Sequence, residues 1–259
     1  MRLRRLYPDA AAVTVEEAAE SLRLGRRAGP ERPFVVCNMV STADGKATIQ
    51  GRSGPIGGDA DRRLFHALRG QVDAVLVGTG TLRVERYGRL VRDPAAREAR
   101  VRRGLAADPI ACIVTRSGRV PTDIPLFEDP DSTVVIYTAE PLDFAGVPAT
   151  VQVIELGADE FGMAAALRRL RADHAVRSVL CEGGPTVLAV LLREEVVDEL
   201  FLTVAPLLAG GEVALTIVAG APLSEPAGLD LVWALESRGE LLLRYAVEGR
   251  SPTQRADPV

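Results

Sequence analysis

Seven short apolar runs recur along the chain, and they constrain the fold more than any other feature. They are FVVCNMVST (34–42), DAVLVG (73–78), PIACIVT (109–115), STVVIYT (132–138), TVQVIEL (150–156), SVLCE (178–182) and DELFLTVAP (198–206). FVVCNMVST is a continuous run rich in β-branched residues, the pattern of a buried strand, and the other six read as further strands of the same sheet. Helical spacing fills several gaps between them. Leu64, Phe65 and Leu68 share one face of a segment at 60–69, which Asp59 is placed to cap. A short helix fits 79–85. Phe161, Ala165, Leu167 and Leu170 mark another at 159–173, and 185–193 opens with a proline suited to a first turn. Strands alternating with helices predict an α/β fold with three αβα layers. LDLVWALES and ELLLRYAVE, joined at Arg238-Gly239, read as a C-terminal antiparallel hairpin, so the sheet is mixed but mostly parallel.

The remaining segments are less regular. Residues 1–32 are polar and Arg-rich and read as an N-terminal arm, with one short helix at 14–24 opened by Thr14 and supported by Glu17. KATI, after the Asp44-Gly45 turn, reads as a strand continuation, and 86–108 as charged and irregular. No linker divides 33–249, so it reads as one domain. SPTQRADPV (250–259) reads as a disordered tail.

Composition narrows the class. The 259 residues are 47% hydrophobic, enough for a substantial core, and the formal charge of −4 gives no basic field for nucleic acid or anionic membrane. No apolar run reaches membrane-spanning length, and MRLRRLYPDA lacks the apolar stretch of a secretory signal. Cys37, Cys112 and Cys181 lie far apart inside or at the end of apolar runs, which predicts buried free thiols and a cytoplasmic setting. With no CxxC, no HxE and only His66 and His174 as histidines, no metal site is expected. Thirty arginines stand beside a single lysine, Lys46.

Three motifs fall at predicted strand ends, where open α/β sheets bind ligands. CEGGPT (181–186) places two glycines before a helix start, open to close approach and offering free N–H groups to a phosphate; an ordinary strand-to-helix turn reads equally well. Glu182 would repel an anion, and can instead accept hydrogen bonds from a loop, a ribose hydroxyl or an amide. VGTGT (77–81) suits a phosphate or amide but lacks the third glycine of a dinucleotide fingerprint, so the Rossmann reading fails. STADGK (41–46) puts the sole lysine beside a turn, either solvated or functional. Arg62, Arg63, Arg69 and Arg92 follow; they cover a solvated face or, if they converge, bind a phosphate-bearing substrate.

As an ordered set, STADGK, IGGDADRRLFHALRG, VGTGT, LVR (90–92), and CEGGPTVLAVLL followed by VDELFLTVAPLLAGG resemble the reductase of riboflavin biosynthesis, also found as the C-terminal half of a bifunctional deaminase/reductase, over about 34–247. The resemblance implies a dihydrofolate-reductase-like fold, a reductase domain at 33–249, NADPH as cofactor and a homodimer. It implies that Glu182, Gly183, Gly184 and Thr186 lie along the dinucleotide, with Gly78, Thr79, Gly80 and Thr81 as a second cofactor loop. Thr115 and Arg116 would hold the adenosine end, Arg116 pairing with the 2′-phosphate. Lys46 and Asp44 would be catalytic, as candidate proton donors. Arg63 and Arg92 would bind the substrate's phosphate, and Asn38 and Ser41, with Asp44, would line the reaction centre. The implied reaction opens the ribosylamino group of 5-amino-6-(5-phosphoribosylamino)uracil to a C=N species and delivers hydride to C1′. The chain departs from the family at Glu85-Arg86-Tyr87, where Asp-Asp-Pro is usual, and lacks the deaminase half's HxE and PCxxC. Two other readings remain: a dihydrofolate or pterin reductase on the same scaffold, and a non-catalytic NADPH-binding paralogue.

Overall fold

A computed structural model describes residues 1–157, 159–211 and 215–249. Its strands, in chain order, are β1 (Arg2–Tyr7), β2 (Ala11–Thr14), β3 (Phe34–Thr42), β4 (Ala74–Val77), β5 (Ile110–Thr115), β6 (Thr133–Thr138), β7 (Thr150–Glu155), β8 (Ser178–Cys181), β9 (Glu199–Ala205), β10 (Leu229–Ser237) and β11 (Glu240–Val247). All join one sheet in the order β2-β1-β10-β11-β9-β3-β8-β4-β5-β6-β7. From β9 to β7 every pairing is parallel; from β9 out to β2 every pairing is antiparallel. The mixed, mostly parallel α/β sheet is therefore present.

Helices cover both faces. They are α1 (Val15–Glu20), α2 (Asp59–Arg69), α3 (Thr79–Glu85), α4 (Pro94–Arg102), α5 (Pro125–Glu128), α6 (Met163–His174) and α7 (Pro185–Arg193). Alternate strand residues feed two cores. Val36, Val75, Val77, Val134 and Ile136 pack with Leu64 and Leu68 of α2 and Leu82 of α3. Val35, Cys37, Leu76, Val135 and Tyr137 pack with Leu167 and Leu170 of α6 and Leu188 and Leu191 of α7. Where both faces are dry, as along β4 and β8, a strand needs no polar residue every second position, which is why these read as apolar runs. All three cysteines are buried and free, and burial pushes the Cys112 thiol up to about 12.

Several expectations change. Residues 1–32 contribute strands: β1 pairs antiparallel with β10 and continues the sheet. Their polar pattern fits an outer strand, and only Leu3 of β1 is buried. Thr14 does cap the following helix, with a complete capping box through Glu17, but that helix stops at Glu20. Asp59 is not a cap; Gly58 holds that position, and Asp59 sits in the first turn, where its charge suits the helix dipole. KATI forms no strand, since only an isolated bridge joins Ile49 to Arg52. The charged segment 86–108 contains α4, started by the Asp93 side chain and Pro94. The hairpin turn is as read, with positive φ at both Arg238 and Gly239. The tail, 250–259, lies outside the described residues.

Candidate active site

Parallel pairing brings the carboxyl ends of β3, β8, β4 and β5 to one edge of the sheet, and all three strand-end motifs lie along it. The glycines of two of them serve first to let the loops touch. A Cβ at Gly183 would stand 2.7 Å from the Gly78 backbone nitrogen, and one at Gly78 would stand 2.7 Å from Val187. The Gly184 N–H donates to Thr81 Oγ1 at 3.0 Å, stitching the α7 start to α3. Gly80 differs: a Cβ there would meet nothing within 4 Å. Thr186 is exposed in the α7 first turn. Thr115 is buried at the end of β5, and the exposed Arg116 after it stacks over Phe161 at 4.6 Å.

Glu182 is no free ligand. Arg69 clamps it through Nε–Oε1 at 2.6 Å and Nη2–Oε2 at 2.7 Å, and Tyr87 donates its hydroxyl to Oε2 at 2.8 Å. The Arg69 guanidinium also donates to the Leu90 carbonyl and lies over the rings of Phe65 and Tyr87. Burial works against the Arg69 charge, yet Glu182 holds its pKa above the ordinary value; burial, and then Glu182, push the Tyr87 hydroxyl well up. Arg69 is thus charged and Tyr87 neutral, and with Glu182 they pin the loop after β8. His66 stands near this cluster, its pKa lowered by burial and then by Arg69.

On the other side of the edge, the STADGK turn is tied to the segment after β9. Asp44 accepts hydrogen bonds from Thr42 Oγ1 at 2.6 Å, Ala209 N–H at 3.1 Å and Gly210 N–H at 2.8 Å. These hold its pKa at about 2, so it is a carboxylate at neutral pH and has no proton to donate. Asp44 therefore organises this loop. Lys46 Nζ donates to the Gly211 carbonyl at 3.0 Å. Asn38 lies one residue past the last β3–β8 pair, at the gap where β8 leaves the sheet, and its Oδ1 is buried without a partner. Ser41 is buried on the opposite face. Arg92 comes close to Gly88, and its charge acts on His66, so it borders the Glu182 cluster. Arg63 is exposed and lies 3.9 Å from Glu16 of α1, away from that cluster.

The family model for the RibD C-terminal domain matches residues 33–238. The chain belongs to this family. A 2,5-diamino-6-ribosylamino-4(3H)-pyrimidinone 5′-phosphate reductase of Methanothermobacter thermautotrophicus is 30% identical over 84% of this chain and all of its own length. A riboflavin biosynthesis protein RibD of Mycobacterium tuberculosis is 29% identical over 70% of this chain but only 44% of its own length. Among solved structures, a pyrimidine reductase-like protein of Corynebacterium diphtheriae superposes with a TM-score of 0.76 at 25% identity, covering 91% of this chain and 99% of that one.

As a RibD-type reductase the chain is an oxidoreductase, and its edge suits a nicotinamide dinucleotide: open space over Gly80, an exposed α7 start at Thr186 and a cation at Arg116. Sequence reasoning flagged Glu85-Arg86-Tyr87 only as a departure. Here Tyr87 completes the Glu182 clamp, and Glu85 accepts from the Ser53 N–H and hydroxyl at 3.3 and 3.2 Å, tying α3 to the loop before α2. Among the described residues no helix is long and apolar enough to cross a membrane, and no group of acidic, His or Cys side chains could hold a metal.

Proposed function

We propose that this chain uses NADPH to reduce a ribosylaminopyrimidine 5′-phosphate in riboflavin biosynthesis. The observation that carries this is the match, over 84% of this chain, to the whole length of a reductase named for the 2,5-diamino-pyrimidinone. That name favours the diaminopyrimidinone as substrate over the uracil implied by the bifunctional enzyme. NADPH, when bound, supplies the hydride that reduces C1′ of the ring-opened C=N substrate.

The protein's part is to hold and protonate. The paired loops at 78–81 and 182–186 carry the dinucleotide, and the Arg69–Glu182–Tyr87 clamp keeps them in register. Arg116 receives the 2′-phosphate. Arg92, with Arg63 at longer reach, takes the substrate phosphate. The Lys46 ammonium delivers the proton that sugar ring opening requires at O4′. A second copy of the chain covers the half-buried apolar face formed by Leu202 and Val204 of β9 with Leu241, Leu243 and Tyr245 of β11; a monomeric mass by light scattering would refute this.

The test is absorbance at the reduced-nicotinamide band with the diaminopyrimidinone, the uracil and dihydrofolate in separate cells, each with NADPH and with NADH. Oxidation with the ribosyl phosphates and preference for NADPH are expected. Oxidation with dihydrofolate alone means a pterin reductase, and NADPH binding with no turnover means a non-catalytic paralogue.

A further inference from the structure

Helix α4 is fastened to the domain by a charge. Arg100 is its one buried residue, at 0% exposure, where a packed helix ordinarily turns an apolar stripe inward. Among the described residues no carboxylate pairs with it. Its guanidinium donates instead to three main-chain carbonyls: Ala106 through Nε at 2.9 Å, and Arg69 and Val72 through Nη1 at 2.6 and 2.8 Å. Nη2 is buried without a partner. Burial lowers its pKa to about 10, with Asp108 and Asp73 opposing, so the group stays charged at neutral pH. A buried cation with no ion-pair partner is costly, and an apolar side chain of similar length would hold α4 without that cost.

The acceptors explain the choice. Arg69 is the last residue of α2, and the next N–H groups, of Gly70 and Gln71, turn back to His66 and Leu68. The Arg69 carbonyl is therefore one that the helix end leaves open, and Arg100 closes it with a charge that suits the negative end of the α2 dipole. The residue fixed in this way through its backbone is the one whose side chain grips both oxygens of Glu182. The strand after this connection, β4, is paired on both sides and keeps its place without Arg100. Loss of the guanidinium should therefore be felt first at Arg69.

We propose that Arg100 is a positioning residue for the reduction: it fixes the end of α2 so that the Arg69 fork reaches Glu182 and holds the loop at 182–186 ready for the dinucleotide. This rests on the dinucleotide reading of that loop given above. Because Arg100 acts on cofactor binding and not on the reacting atoms, its loss should appear in the KM for NADPH and not in kcat.

The experiment measures NADPH affinity by fluorescence titration in wild type, Arg100→Met, Arg100→Lys and Leu235→Ala. Leu235 is buried in β10, several strands from these loops, and its truncation is the destabilised control. Arg100→Met should weaken NADPH binding by about 10-fold and raise the KM for NADPH alike, with kcat held within about twofold. Arg100→Lys keeps the charge at the α2 end and should recover part of the loss. Leu235→Ala should melt early yet bind NADPH as wild type does. In a Glu182→Gln background, where the clamp is already weakened, Arg100→Met should add less than about twofold. Unchanged affinity in Arg100→Met, an equal loss in Leu235→Ala, or an undiminished loss in the Glu182→Gln background would overturn the proposal. Should Arg100→Met not fold, Arg100→Lys carries the same comparisons. If wild type binds no NADPH, the proposed function fails, and the positioning is judged by hydrogen exchange at the Gly184 amide, which donates to Thr81. Faster exchange in Arg100→Met but not in Leu235→Ala would support it; exchange unmoved by Arg100→Met would overturn it.

Discussion

Replacing Gly183 by alanine tests how the loops at 78–81 and 182–186 are joined. The new Cβ would lie 2.7 Å from the Gly78 nitrogen and 3.4 Å from Val187 Cβ and Cγ1. The first obstacle is backbone at the end of β4, a strand paired on both sides, so it cannot swing away. The loops must part by ~0.5 Å to restore ordinary contact. Overpacking of this kind costs about 1–3 kcal/mol, which for a chain of this size lowers Tm by roughly 2–10 °C. Parting also stretches the 3.0 Å bond from Gly184 N–H to Thr81. We therefore expect Gly183→Ala to melt early in scanning calorimetry and to bind NADPH at least ~10-fold more weakly by fluorescence titration, beyond the loss of a neutral hydrogen bond alone. Gly80→Ala is the control. Its Cβ meets nothing, and alanine favours the helix by up to about 1 kcal/mol. Its Tm should hold or rise while NADPH affinity falls, because the methyl group enters the space assigned to the dinucleotide. A Gly183→Ala protein with wild-type Tm and affinity would refute the packing argument.

Other outcomes follow from the same contacts. Tyr87→Phe removes the hydroxyl from Glu182 but leaves the Arg69 pair, so urea unfolding should show a loss of about 1–2 kcal/mol and titration a weaker NADPH complex. Lys46→Ala should cut kcat by at least ~100-fold with unchanged NADPH affinity; weaker cofactor binding instead would place Lys46 on the wrong side of the cleft. Burial raises the folded pKa of Asp61 to about 6 against an ordinary 3.8, so the unfolded chain loses this proton first as pH rises. Stability should therefore fall between roughly pH 4 and 6, by up to about 3 kcal/mol, and Asp61→Asn should lack that fall in pH-dependent melts.

The parts of the fold read correctly from sequence were those with a strong local signal. The strands buried on both faces could only be apolar runs, and Pro185 and Thr14 marked helix starts through their own chemistry. The strand β1 was missed because its pattern of one buried residue among exposed ones is set by pairing with β10, more than two hundred residues away. The helix α4 had a readable start in Asp93-Pro94, hidden within a run of arginines. The three motifs do stand at the ends of β3, β4 and β8, but what each side chain touches was not legible. The clamp on Glu182 was not legible because its partners, Arg69 and Tyr87, come from two other segments. Asp44 looked like a proton donor because the amides of Ala209 and Gly210 that hold it ionised lie far along the chain.

The most direct test of the whole account is steady-state oxidation of NADPH by the purified chain with 2,5-diamino-6-ribosylamino-4(3H)-pyrimidinone 5′-phosphate, with the product analysed for a ribityl side chain. The account predicts stoichiometric loss of reduced-nicotinamide absorbance and formation of the ribitylamino compound. Tight NADPH binding with no oxidation by this pyrimidine or its uracil counterpart would contradict it.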